Sequence, residues 1–331
     1  MSTLAAHSPA CSSVQGREGE PGFAPTYDQA VAYIERTRAW YLALGYDAPY
    51  VWAHYLEVPF APLKKPLAQS RVALITTAAP YQPGKGDQGP GAAYNAAAKF
   101  YRVYDGDTSI DHDLRIAHVG IDRKHADLGD SGCWFPLPAL RRAAKDGRIG
   151  AVAPRFFGAP TNRSQRHTLE VDAPQIVDGC RADQVDAAIL VPNCPICHQT
   201  LSLIARELEA AGISTVLIAA AKDIVEYVGV PRVLFSDFPL GNAAGRPGDI
   251  ASQDATLELA LRVLEHAPAA RTTVQSPLRW SASADWKLDY ANPARLSADE
   301  LQRQRAEAET ARITARELRV ATLGRDVETQ R

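Results

Sequence analysis

Asp186-Ala-Ala-Ile-Leu-Val-Pro-Asn-Cys194-Pro-Ile-Cys197-His198-Gln-Thr200-Leu-Ser-Leu-Ile-Ala-Arg-Glu-Leu-Glu-Ala-Ala-Gly212 spells a strand, a turn and a helix in succession. Residues 187–191 form an apolar run of strand length, and from Thr200 onward Leu201, Leu203, Ile204 and Leu208 recur at helical spacing up to a glycine stop. Cys194 and Cys197 therefore belong to a strand-to-helix turn, which in an open α/β sheet lies at the carboxyl edge where ligands bind. A thiol in the first turn of a helix meets unpaired N–H groups and the positive end of the dipole, so Cys194 is expected to ionise easily and act as a nucleophile. The C-x-x-C spacing also lets the two sulfurs close a reversible disulfide. A buried inert pair and half of a zinc site are the competing readings. A structural zinc normally takes four protein ligands, and the chain has no second C-x-x-C and no H-x-x-x-H.

Working outward, strands are expected at 71–77, 115–120, 149–152, 214–219 and 232–235, with helices at 27–44, 137–145, 162–181, 222–228, 250–265 and 297–323. This alternation predicts an α/β fold with parallel strands. The expected arrangement is two similar lobes, each a mainly parallel sheet flanked by helices, with the active site at strand carboxyl ends in the cleft between them. The lobes would span 26–160 and 161–268, after a flexible tail (1–25) and before a C-terminal extension with a charged helix (269–331). A Pro-punctuated segment with Trp52, Tyr55 and Phe60 is expected to brace the first lobe or simply to connect over the surface. Residues 84–89, Gly-Lys-Gly-Asp-Gln-Gly, match a dinucleotide fingerprint by letter. They begin too far past the strand and are flanked by Pro83 and Pro90, so a substrate-covering or solvated loop is preferred, from which Tyr81 reaches a ligand.

Beyond the strand at 115–120 lie His118, Asp122, His125, Asp127 and Asp130, the residue types that proton transfer or a metal requires; structural roles compete. Arg155, read as lying just past a strand, is a candidate for holding a substrate carboxylate, against a surface ion pair. The loop 236–249 offers Gly241, Asn242 and Arg246 for binding an anion, against a tight structural turn. No metal is assigned to any of these residues. Cys11, Cys133 and Cys180 carry no spacing signal.

The near-balance of 36 Lys and Arg against 38 Asp and Glu argues against nucleic-acid or anionic-membrane partners. No apolar run is long enough to span a bilayer, and residues 1–9 lack the layout of a secretory signal. Five scattered cysteines fit a reducing, cytoplasmic compartment. The C-terminal helix has a thin apolar stripe (Leu301, Ile313, Leu318), suited to covering the body or pairing subunits in a homo-oligomer.

The run Val191-Pro-Asn-Cys194-Pro-Ile-Cys197-His198-Gln-Thr200 resembles the redox motif of the selenoprotein B family of glycine, sarcosine, betaine and D-proline reductases, in which many members carry selenocysteine at the position of Cys194. The resemblance extends to Ile116-Ala-His118, Asp122, Phe135-Pro136, Ile149-Gly150, Ala153-Pro-Arg155-Phe156 and Phe235-Ser-Asp237-Phe238-Pro-Leu-Gly241, over roughly residues 70–265. It implies reductive cleavage of a C–N or similar bond in a small organic substrate, with Cys194 as nucleophile and Cys197 as resolving thiol. His198 would be a neighbour favouring the thiolate, and His118 and Asp122 would be further catalytic residues. No tightly bound cofactor is expected; an external dithiol or thioredoxin-like donor would reset the pair. The family's amine reductases work with pyruvoyl-bearing partner subunits, whereas this chain shows neither selenium nor a recognisable pyruvoyl precursor. Two rivals remain open: a cofactor-independent racemase, which needs a cysteine from each lobe although the first strand ends in Thr76-Thr77, and a C-x-x-C redox sensor without substrate chemistry.

Overall fold

The strand read from Ala187–Val191 is buried along its whole length, as a central strand covered on both faces must be. The structure, a computed structural model, describes residues 29–46, 50–116 and 118–327. The tail expected at 1–25, with Cys11, lies outside the described residues.

The strands are β1 (Arg71–Thr76), β2 (Ala79–Pro80), β3 (Tyr104–Asp107), β4 (Leu114–Arg115), β5 (Ala151–Val152), β6 (Arg155–Gly158), β7 (Ala187–Val191), β8 (Ser214–Ala219), β9 (Arg232–Phe235) and β10 (Thr272–Gln275). The helices are α1 (Tyr33–Ala43), α2 (Leu137–Lys145), α3 (Gln165–His167), α4 (Ala173–Ala182), α5 (Pro195–Ala210), α6 (Lys222–Val228), α7 (Ile250–His266), α8 (Trp286–Asp289) and α9 (Ala298–Leu323). One sheet runs in the order β10-β9-β8-β7-β1-β6-β3, with β5 beside the start of β1; β2 and β4 form a separate antiparallel pair. All pairings in the main sheet are parallel except β3 with β6.

The expected mainly parallel α/β fold is present, but the strands expected in two sheets share one, because β1 pairs with β7 from Val72↔Ala187 to Thr76↔Val191. Side chains alternate across it. Val72, Leu74, Ile189, Val216 and Leu234 pack in a layer with α2 and α7, whereas Ala73, Ile75, Leu190, Leu217 and Phe235 pack in a layer with α4 and α5.

The strand expected at 149–152 is broken at Pro154 and resumes as β6 up to Gly158. Proline lacks the N–H that a central strand donates to its ladder. Among the described residues of the strand expected at 115–120, only β4 forms, two residues paired to β2. The helix expected at 162–181 is interrupted by a π-turn at Thr168–Asp172 before α4, where Pro174 cannot donate to a preceding carbonyl. The 50–61 segment packs along α5: Ala53 N–H donates to Gln199 (2.7 Å) and Tyr55 N–H to the Val228 carbonyl (3.2 Å). Gly84 and Gly86 take positive φ in a turn stitched by Asn95, and only a short 3-10 turn at Ala96–Ala98 follows, so the fingerprint geometry is absent there. Among the described residues no helix is long and apolar enough to cross a membrane.

Candidate active site

After β1 the chain crosses to the β6 side of the sheet, and after β7 it crosses to β8 on the other side. The carboxyl ends of β1 and β7 thus flank a topological switch point, where α/β sheets open a crevice. Thr77 follows β1, and Asn193-Cys194 follow β7; Asn193 N–H donates to the Thr77 hydroxyl (3.2 Å) and ties the two ends together.

Cys194 is the N-cap of α5, in extended backbone, and its Sγ accepts the Cys197 N–H at 3.2 Å. Pro195 supplies a preset φ at the first helical position. Both cysteines are free thiols and buried, Cys194 4% and Cys197 0% exposed. A ring nitrogen of His118 and the two sulfurs all lie within 4.8 Å of one another. Gly120 brings the His118 loop this close, since a Cβ there would meet Pro195 Cδ at 2.8 Å. The Arg123 guanidinium donates to the His118 carbonyl (2.8 Å), while His118 Nδ1, although buried, has no hydrogen-bond partner.

The electrostatics of the buried pair favour the other thiol from the one that helix position favours. Burial lifts the Cys194 thiol well above its usual range, and its hydrogen bond with ionised Cys197 lifts it further. Burial also opposes ionisation of Cys197, but the Cys194 thiol, His118 and the Thr77 hydroxyl outweigh it and hold Cys197 well below the usual thiol range. These surroundings favour a thiolate on Cys197 over one on Cys194. Lys99 also favours ionisation of Cys194, and Cys194 in turn acts electrostatically on Arg123.

His198 plays another part than expected. Its Nε2 accepts from Ala220 N–H (3.1 Å) and Ala221 N–H (3.0 Å), so the proton sits on Nδ1, which donates to the Cys194 carbonyl at 2.7 Å. Full burial pushes its pKa down to about 4. A neutral ring clamping α5 to the end of β8 cannot stabilise a thiolate by charge.

Asp122 turns to His125 (Oδ1–Nδ1 3.0 Å), whose Nε2 reaches Asp289 at 3.2 Å; burial raises the Asp122 pKa despite the histidine. The rest of the acidic cluster disperses, Asp127 into a turn with Gly129 and Asp130 onto Gly132, Gly248 and Gln253. Gly241 and Asn242 pack the 236–249 loop on residues 121–128, with Asn242 Nδ2 donating to the Asp127 carbonyl (2.8 Å). Arg246 is held by the Arg279 carbonyl and by Asp249. Tyr81 is exposed beneath the Arg115 guanidinium. Arg155 sits at the amino end of the sheet, ion-paired with Asp183 (2.9 Å) and Asp105 (3.2 Å), away from the cysteines, because the strand continues past it. That placement fits the competing ion-pair reading rather than carboxylate binding.

The sequence assigns no site role to Thr77, Lys99, Arg123 or Gln199. The only signal for Thr77 was its position at a strand end. Ile116 and Leu128 pack on the cysteine cluster and also line a shallow depression with Gln88, Asn95, Arg115 and Arg123.

D-proline reductase subunit gamma of Acetoanaerobium sticklandii is 32% identical to this chain over 227 residues, which cover 67% of the chain and 90% of that relative. Glycine reductase complex component B subunit gamma of Symbiobacterium thermophilum is 26% identical over 211 residues, covering 62% and 48%. Betaine reductase complex component B subunit beta of Peptoclostridium acidaminophilum is 25% identical over 188 residues, covering 55% and 42%. No family model and no solved structure gives a significant match. The resemblance read from the cysteine motif is borne out: the chain belongs to the family of D-proline reductase subunit gamma and the component B subunits of glycine, betaine and sarcosine reductases.

Proposed function

We propose that this protein is a component of a reductase complex that cleaves a C–N or similar bond of a small organic substrate at the expense of the Cys194–Cys197 dithiol. The observation that carries this reading is the pair of free, buried thiols on the first turn of α5 with His118 against them. Cys194, the less buried residue of the pair, is the nucleophile, and Cys197 takes its proton as it attacks. The C–S bond forms, the C–N bond breaks, and the amine leaves with the electron pair and is protonated. His118 accepts the proton from Cys197, which then attacks the Cys194 sulfur. The S–S bond forms, the C–S bond breaks, and the carbon takes the electron pair and a proton. Two thiols are oxidised for one bond cleaved, and an external dithiol or thioredoxin-like protein restores them.

Relatives named as parts of complexes support the expectation of protein partners. The racemase alternative needs a cysteine facing this pair, yet β1 presents Thr77, and the other cysteines among the described residues, Cys133 and Cys180, are buried in the apolar layers of the two sheet faces. The test is mass spectrometry of mildly oxidised protein together with a substrate screen in the presence and absence of dithiol. A two-proton loss on the peptide holding both cysteines, and dithiol consumption matched to product, are expected. Cys194→Ser should abolish cleavage, whereas Cys197→Ser should stall after one covalent attack. Two thiols that stay free under oxidant, or α-deuterium exchange without dithiol consumption, would overturn the proposal.

A further inference from the structure

We infer that, in the reduced protein, Cys194, Cys197 and His118 form a binding site for a soft divalent cation such as Zn²⁺, and that occupancy by the ion excludes the disulfide. Two sulfurs and an imidazole nitrogen within 4.8 Å of one another, all buried, are the donor set and the compactness that tetrahedral zinc requires. A second observation points the same way: His118 Nδ1 is buried without a hydrogen-bond partner, a cost that a protein usually offsets with a ligand or a water.

The surroundings are also those of a metal centre. The Cys197 N–H donates to the Cys194 sulfur, and Arg123 fixes the backbone of His118, so two of the three ligands are oriented from outside the donor set. With the ion bound both sulfurs are thiolates, and the proton the pair holds in the ion-free protein is released to solvent. Two thiolates and a divalent cation sum to zero, which suits a site at which two buried thiolates alone would be costly. Three protein ligands leave one coordination position for water or an external thiolate.

The exclusion follows from distance. A tetrahedral ion holds two sulfurs about 3.8 Å apart, whereas a disulfide needs them about 2.05 Å apart. The metal-bound form is therefore a reduced, inhibited form of the pair. The inference uses the same sulfurs as the proposed reductase chemistry but does not depend on it.

Chelator-stripped, reduced full-length protein is titrated anaerobically with Co²⁺ alone and Zn²⁺ alone. One equivalent is expected, with thiolate-to-Co²⁺ charge-transfer absorption that Zn²⁺ displaces, and both cysteines should be protected from iodoacetamide. His118→Ala should weaken binding at least as much as the roughly 10–100-fold typical of lost second-shell contacts, and Cys180→Ala should leave it unchanged. Failure of the reduced protein to bind one equivalent, or binding undiminished by His118→Ala, would overturn the inference. Disulfide formation, measured on the same preparation after chelation, reports the reductase reading separately.

Discussion

At the scale of single residues, the site turns on which atom holds which proton. His198 follows the two cysteines directly in sequence, which suggests a charged partner, yet both nitrogens of its ring are committed to backbone groups and burial keeps it neutral. His198→Ala should orphan the Ala220 and Ala221 N–H groups and cost about 2–4 kcal/mol in chemical denaturation. The pH profile of thiol alkylation should stay where it is; a shift of a full unit would show that the imidazole acts on the sulfurs by charge. His118 is the opposite case, far from the cysteines in sequence and against them in space.

Among the elements, the loop carrying His118 is held to α5 by a contact that admits no side chain. Gly120→Ala would set a Cβ 2.8 Å from the rigid ring of Pro195, with Tyr290 Oη at 3.5 Å behind it. We expect about 1–3 kcal/mol of destabilisation from overpacking, and faster iodoacetamide labelling of Cys194 as the loop lifts. Unchanged labelling would mean that the loop does not cover the thiol. The π-turn preceding α4 carries Asp172, 1% exposed, whose pKa burial raises to about 8. Below about pH 4 the folded and unfolded chains both hold this proton, and between about 4 and 8 only the folded chain does. Stability should therefore fall as pH rises through that window and level off above it. Asp172→Asn should flatten this decline and stabilise the protein by about 1–3 kcal/mol at pH 8, measured as the denaturation midpoint against pH. A decline equally steep in the variant would assign it to other groups.

For the whole molecule, a buried ion pair fastens the 50–61 segment to the sheet. Glu209 and Arg232 meet at 2.7 Å with 0% and 1% of their side chains exposed. Arg232 also donates to the Ala61 carbonyl (2.8 Å), and Glu209 accepts from Ala61 N–H and Thr215. Glu209→Ala should cost about 3–5 kcal/mol, since it leaves a buried guanidinium uncompensated, and should free the 50–61 segment to limited proteolysis. A loss below about 1 kcal/mol would mean that water replaces the carboxylate. On the other side the C-terminal segment closes over the site loops: Tyr290 Oη donates to the Gly120 carbonyl (3.1 Å), and Asp289 reaches His125.

What the sequence determined by itself is whatever neighbouring residues decide among themselves. The apolar run at 187–191, the cysteine turn and the helix stopped by Gly212 are set by periodicity and capping within a few turns of chain, and they are where they were read. The family was legible for the same reason, since its motif is local. The tertiary structure alone decided the rest. Strand register set β1 beside β7, which merged the two expected sheets into one and carried Thr77 to the cysteines. The strand's resumption after Pro154 left Arg155 at the amino end, and the approach of Gly120 to Pro195 delivered His118. The balance of ionisation between the two thiols also depends on burial and through-space neighbours, which the helix position read from sequence does not include.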